Sequence, residues 1–254
     1  MLIYFGRVCH SIAKRIYGRS YSLSDVDNQN SKFLSMGLNR ELALEKINEI
    51  CIRKFGREYD EQNGMWSEHL ILMTALSLSK KDVQSILEIG TFIGETTALL
   101  EELFPDARIE TVDLAQHEIV EQGIFRYAAN SIEQGRNIYK SDRINFRVMN
   151  SLRLIDESDK FDLIWVDGNH VSPFSIVDIS NSIRLLSPGG IAFCDDVYVK
   201  ANKLDQFSDT SSFDTLCAFE KAGIIKFTLV KKRVSKRFNN QLVKSKHLGV
   251  YSLA

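Results

Sequence analysis

The sequence predicts a doubly wound α/β protein with a mostly parallel, seven-stranded sheet and an N-terminal helical extension, and three observations carry this. From Ser85 onward, short apolar runs alternate with helix-length stretches, the pattern of strand–helix–strand units around a parallel sheet. Phe161 to Val166 is almost entirely apolar, as a strand buried on both faces is. The last two strand-like runs have no helix between them and read as an antiparallel pair.

Taken in order, the elements start with Leu2, Ile3, Phe5, Val8, Ile12 and Ile16, which recur at roughly helical spacing with basic residues between them. This amphipathic start leaves a peripheral membrane contact, a homodimer arm or packing on its own domain open. Residues 20–38 are rich in Ser, Asn and Asp and read as a linker or mobile loop. A helix is expected over about 40–55, with Leu42, Leu44, Ile47 and Ile50 on its apolar face, and another over about 66–78. Strands are expected near 85–90, 108–113, 144–149, 161–167, 190–195, 224–231 and 247–253. Helices fall between them near 95–104, 118–138, 173–186 and 212–222, and the basic segment Lys231 to Lys246 joins the last two strands. The chain is accordingly divided into a helical extension and linker, 1–62, and a main domain, 63–254.

A chain of 254 residues with 44% hydrophobic and 26% charged residues has the composition of a soluble globular protein. The four cysteines form no CxxC pair and read as free thiols in a reducing, cytoplasmic setting. No apolar run is long enough to span a bilayer, and residues 1–19 lack a signal-peptide core. The net charge of −1 hides an asymmetry: residues 1–19 carry +4, the chain from Lys221 onward +9, and the middle −14. Such a basic tail either meets an anionic partner or neutralises its own acidic body.

The segment Ser85 to Thr97, SILEIGTFIGETT, is the most informative. A strand carrying Glu88 runs into Gly90 and Gly94 and then a helix, whose first N–H groups point at whatever lies over the turn. Gly90 permits a tight turn and close approach of a ligand to the backbone. About twenty residues on, a second strand ends in Asp113, placed to accept from a ribose diol. A dinucleotide fingerprint would need glycines where Phe92 and Glu95 stand, and a ring and a carboxylate oppose a pyrophosphate. A cationic cofactor without phosphate suits the loop better.

This segment resembles motif I of the class I S-adenosylmethionine-dependent methyltransferases, most closely the catechol-type branch and its small-molecule relatives. The resemblance extends over about 85–254 and implies the Rossmann-like methyltransferase fold. It implies cofactor contacts from Glu88, Gly90, Phe92, Gly94 and Asp113, with Thr96 on the methionine carboxylate and Phe92 packed on the cofactor. Asn150 and Ser151, after the third strand, take the adenine-edge position. Trp66 and Glu68 are candidates to close over the site, with Trp66 as plain core the alternative.

The second constellation is Phe161 to His170, FDLIWVDGNH. Its strand ends in Asp167, and the next ends in Asp195 and Asp196, so all three carboxylates are expected at one rim. Three carboxylates together repel unless protonated or bound to a cation, and an incomplete oxygen set suits Mg²⁺. Capping of the following helices, or contact with the cofactor side (Asp167 above all), is the other reading. In metal-dependent O-methyltransferases of the catechol and sugar types, one Asp follows the fourth strand and an Asp-Asn or Asp-Asp pair the fifth. His170 lies where catechol enzymes hold a catalytic lysine, and it is the candidate base because its ordinary pKa is near neutrality. Sugar-type relatives place an Asp two residues after the metal Asp; that position is Asn169, which cannot act as a base.

The expected activity is Mg²⁺-assisted O-methylation of a small hydroxylated molecule, a sugar or secondary metabolite, from S-adenosylmethionine. A metal-independent methyltransferase, a nucleic-acid-directed one and a non-catalytic cofactor-binding protein are the alternatives. Against nucleic acid stand the acidic body and the lack of an Asn-Pro-Pro-Tyr-like motif.

Overall fold

The computed structural model describes residues 23–61, 66–79, 82–114, 141–201, 209–234 and 246–254, with the backbone alone at 23 and 24. The amphipathic start, the helix expected over 118–138, most of the loop after Tyr198 and the middle of the basic segment lie outside the described residues. Two compact units are present. Of the described residues, one unit takes those within 1–81, 196–209 and 229–248, the other those within 82–195, 210–228 and 249–254.

The strands are β1 (Ser85–Ile89), β2 (Arg108–Asp113), β3 (Ile144–Val148), β4 (Phe161–Val166), β5 (Leu186–Val197), β6 (Ile225–Lys231) and β7 (His247–Leu253). They form one sheet in the order β3-β2-β1-β4-β5-β7-β6. β1 pairs in parallel with β2 and β4, β3 with β2, and β5 with β4. Lys232 N–H donates to Lys246 O at 2.9 Å and Ala254 N–H to Ile224 O at 3.0 Å, so β6 and β7 run in opposite directions. All seven expected strands are present. β5 is longer than expected: its register with β4 jumps from Phe161–Leu186 to Leu163–Ile191, so Ser187 to Gly190 bulge outward within the strand.

In chain order the helices are α1 (Leu23–Ser35), α2 (Arg40–Phe55), α3 (Glu68–Leu78), α4 (Glu95–Leu103), α5 (Phe174–Leu185) and α6 (Ser211–Lys221). Helix α4 connects β1 to β2, and α5 connects β4 to β5. Ile86, Leu87, Leu163, Ile164, Trp165, Ala192 and Phe193 form the core of β1, β4 and β5, each 0% exposed. That burial on both faces is why these strands read as unbroken apolar runs.

Helix α1 corrects the linker expected over 20–38. Its sequence is polar, yet Phe33 and Gln29 are buried. The Gln29 amide donates to Lys231 O at 2.8 Å and accepts from Lys231 N–H at 3.1 Å, while Lys32 Nζ donates to Leu229 O at 2.6 Å. Tertiary hydrogen bonds thus hold a helix that composition alone does not announce. Helix α2 starts at Asn39, whose side chain accepts from Leu42 N–H at 3.0 Å, and stops at Gly56 in the left-handed region. Helix α3 is buried from Glu68 through Leu76.

Trp66 and Glu68, candidates for closing over a ligand, are interior residues. Trp66 is 2% exposed and stacks with Tyr59 beneath the Arg57 guanidinium. Glu68 is 1% exposed and receives both Arg40 Nε (2.7 Å) and Nη2 (2.6 Å).

Candidate functional site at the carboxyl edge of the sheet

β1 is the point where strand order reverses, with β2 on one side and β4 on the other, and open α/β sheets bind ligands at the carboxyl ends there. The backbone ladder continues one residue past each strand. Gly90 N–H donates to Val112 O (2.9 Å), Asp167 N–H to Ile89 O (2.8 Å) and Met149 N–H to Asp113 O (2.8 Å). These bonds align Gly90, Asp113, Met149 and Asp167 along one rim. Gly90 has φ +98°, and a Cβ there would overlap the Asp167 carbonyl. Glycine is required here because the β4 loop lies directly against it.

Beyond Gly90 the turn is closed by Asp113. Its carboxylate accepts from Phe92 N–H and Leu114 N–H, each at 2.7 Å. Phe92 and Gly94 take positive φ, 48° and 78°, and Gly94 opens α4. Thr96, on the first turn of α4, is half-buried. Glu88 is fully buried, and its Oε2 accepts from Thr97 Oγ1 (2.5 Å) and Thr111 Oγ1 (2.6 Å). Among the described residues its Oε1 has no partner. Burial pushes the Glu88 carboxyl up to about 7, while the two threonine bonds pull it back and the Asp113 charge adds to the rise.

After β3, Asn150 starts a short 3₁₀ turn, Ser151–Asp156, by accepting from Leu152 N–H at 3.0 Å. Ser151 hydrogen-bonds Asp178 of α5, a residue the sequence did not single out. Asp178 is 1% exposed, and burial raises its carboxyl to about 6. A Cβ on Gly168 would lie 3.0 Å from its Oδ2, so Asp178 also packs against the loop after β4.

That loop brings three groups together. One ligand atom each from Asp167, His170 and Asp195 lies within 4.8 Å of the others, and His170 Nε2 is 3.6 Å from Asp167 Oδ1. Asn169 folds the loop by accepting from Val171 N–H at 3.1 Å. Asp196 is not one of the three. Its Oδ1 accepts from Lys232 Nζ at 2.6 Å and its Oδ2 from Lys246 Nζ, with the backbone at φ 51°. Sequence reading missed Thr97, Thr111 and the two lysines. Threonines abound near strand ends, and the lysines arrive from the antiparallel pair some 36 and 50 positions away.

Residues 87–197 match the family model of a methyltransferase domain. No curated protein matches the chain in sequence. Among solved structures, a Klebsiella pneumoniae protein proposed to be an O-methyltransferase is 18% identical (TM-score 0.51, 83% of this chain and 89% of that chain). The Podospora anserina methyltransferase PaMTH1, with S-adenosylhomocysteine bound, is 17% identical (TM-score 0.51, 84% and 88%). A Clostridium thermocellum protein proposed to be an rRNA methylase is 16% identical (TM-score 0.51, 75% and 100%). At these identities the structures establish the fold. Residues 87–197 are thus similar to a methyltransferase domain, on a fold shared with these structures.

Proposed function

We propose that this protein transfers the methyl group of S-adenosylmethionine to a hydroxyl of a small molecule, with a divalent cation beside the reacting oxygen. The observation that carries the reading is the convergence of Asp167, His170 and Asp195 at the rim that also holds Gly90 and Asp113.

The residues present fit the cofactor. Gly90 leaves bare backbone at the turn, Asp113 offers carboxylate lone pairs to a ribose diol, and Glu88 Oε1 is a buried acceptor for an ammonium. Phe92, Gly94 and Thr96 would line the turn and first helical N–H groups and Asn150 and Ser151 the adenine edge, and the S-adenosylhomocysteine bound by the Podospora protein supports the choice of cofactor.

The donor set also fits a divalent cation, Mg²⁺ being the sequence expectation. Bound there, the cation would lower the pKa of the acceptor hydroxyl. Asp167 and Asp195 would hold it, and the alignment of nucleophile and methyl group would supply most of the remaining acceleration. His170 has two roles open to it: proton acceptor, as the sequence predicts, or ligand, which its position favours.

The shared fold with a proposed rRNA methylase leaves the acceptor to be argued from this chain's charges. Lys231 pairs with Asp25, Lys232 and Lys246 with Asp196, and Arg233 donates to the Glu61 and Trp66 carbonyls. Three described lysines of the tail, Lys231, Lys232 and Lys246, are thus paired with acids of their own unit, which supports a small acceptor over nucleic acid.

The test is a calorimetric titration with S-adenosylhomocysteine, with and without Mg²⁺, followed by an acceptor screen of hydroxylated compounds. Saturable binding, weakened about 10- to 100-fold in Asp113→Ala, is the expected result. No binding at millimolar ligand would overturn the reading, and activity surviving EDTA would remove the cation from it.

A further inference from the structure

We propose that His170 is a ligand of the cation site in the place expected for Asp196, and that the site selects Mn²⁺ or a similar nitrogen-accepting ion over Mg²⁺. This rests on the cation reading above.

Asp196 is committed elsewhere. Both of its oxygens accept from ammonium groups, and its side chain is 10% exposed beside Lys232 at 8%. Releasing it toward a cation would leave a buried lysine without its carboxylate, a costly exchange. The left-handed turn at Asp196 comes with the lysine pairing.

His170 takes the third position. The distance of 3.6 Å from its Nε2 to Asp167 Oδ1 is too long for a hydrogen bond. Two donors each about 2.1–2.2 Å from a shared ion lie up to about 4.3 Å apart, so the pair spans an ion-sized gap. Asp195, 4% exposed, closes the third side. Asn169 folds the same loop by accepting from Val171 N–H. Mg²⁺ demands hard oxygen donors, whereas an imidazole with two carboxylates suits first-row transition ions.

The experiment uses the full chain, labelled with ¹⁵N-histidine, titrated separately with Mn²⁺ and Mg²⁺ by calorimetry and examined by electron spin-echo spectroscopy. The expected result is one Mn²⁺ bound at least about tenfold more tightly than Mg²⁺, with histidine nitrogen coupled to the ion. His170→Ala should remove the coupling and weaken Mn²⁺ by about tenfold or more, while Asp196→Asn changes affinity less than about threefold. Retained S-adenosylhomocysteine binding reports that each variant is folded. Mn²⁺ held without nitrogen coupling in the unaltered protein, or an unchanged affinity in His170→Ala, overturns the assignment while the cation reading stands. Loss of Mn²⁺ in a folded Asp196→Asn also overturns it. Failure of the unaltered protein to bind either ion overturns the cation reading itself.

Discussion

Thr97, on the first turn of α4, donates its hydroxyl to Glu88 at 2.5 Å and ties the start of α4 to the strand before it. Thr111 completes the grip from β2, at 2.6 Å. The motif I turn is therefore braced from beneath by one buried carboxylate, and that carboxylate is reluctant to ionise.

The Glu88 carboxyl, near 7, and the Asp178 carboxyl, near 6, are both raised above their ordinary values, by burial first. A raised carboxyl means the folded state holds its proton where the unfolded chain has lost it. Stability from these groups is therefore full below about pH 4 and lost as pH rises through about 6 to 7. Denaturant unfolding of the ligand-free protein should show this fall, with a Glu88 share on the order of 3 kcal/mol. Glu88→Gln should flatten the upper part of the slope, and an unchanged slope would remove Glu88 as its source.

Gly90 and Gly37 offer a matched pair. Both have positive φ, +98° and +74°, but a Cβ on Gly37 meets nothing within 4 Å, whereas one on Gly90 strikes the Asp167 carbonyl. Gly37→Ala should cost about 1 kcal/mol of backbone strain. Gly90→Ala should cost more than about 2 kcal/mol and abolish S-adenosylhomocysteine binding, because the β4 loop must move. Equal costs for the two would show that the approach to Asp167 is loose.

Asp113 accepts two backbone N–H groups, and a carboxylate offers about four acceptor sites in all. Asp113→Ala should weaken S-adenosylhomocysteine by about 10- to 100-fold, the loss of charge-assisted bonds worth about 1.5–3 kcal/mol. Calorimetry measures this directly, and a change below threefold would place the ribose elsewhere.

The pair Arg40–Glu68 is a structural counterpart, 5% and 1% exposed. Glu68→Ala leaves the guanidinium buried without its carboxylate and should cost about 3–5 kcal/mol. The double change Arg40→Met with Glu68→Leu should cost less than either single change. Chemical denaturation of the three variants decides it, and additive losses would contradict the argument.

The sheet was legible because its central strands are buried on both faces, which leaves no alternation to confuse with a helix; Phe161 to Val166 is the clearest case. The glycine turn was legible for a related reason: Gly90 is dictated by contact with the Asp167 carbonyl, a constraint local enough to leave a motif. Helix α1 was not, since its order comes from Gln29 and Lys32 reaching backbone about 200 positions away, and composition carries no trace of such bonds. The same holds for Asp196. Its neighbour Asp195 and its place at a strand end announce a ligand, but two lysines from the antiparallel pair claim it. Asp178 was hidden inside an ordinary helix, where only the fold reveals what its carboxylate touches.

The pair of hydrogen bonds between the Gln29 amide and the Lys231 peptide has a protective consequence. β6 ends the sheet, and a terminal strand with bare peptide groups recruits further strands from other molecules. The Gln29 side chain imitates a peptide unit, supplying one donor and one acceptor to Lys231, and Lys32 occupies the carbonyl of Leu229. Helix α1 is in this sense a stopper on the growing end of the sheet. Without it, the β6 peptide groups would lie open to pairing with strands of other molecules.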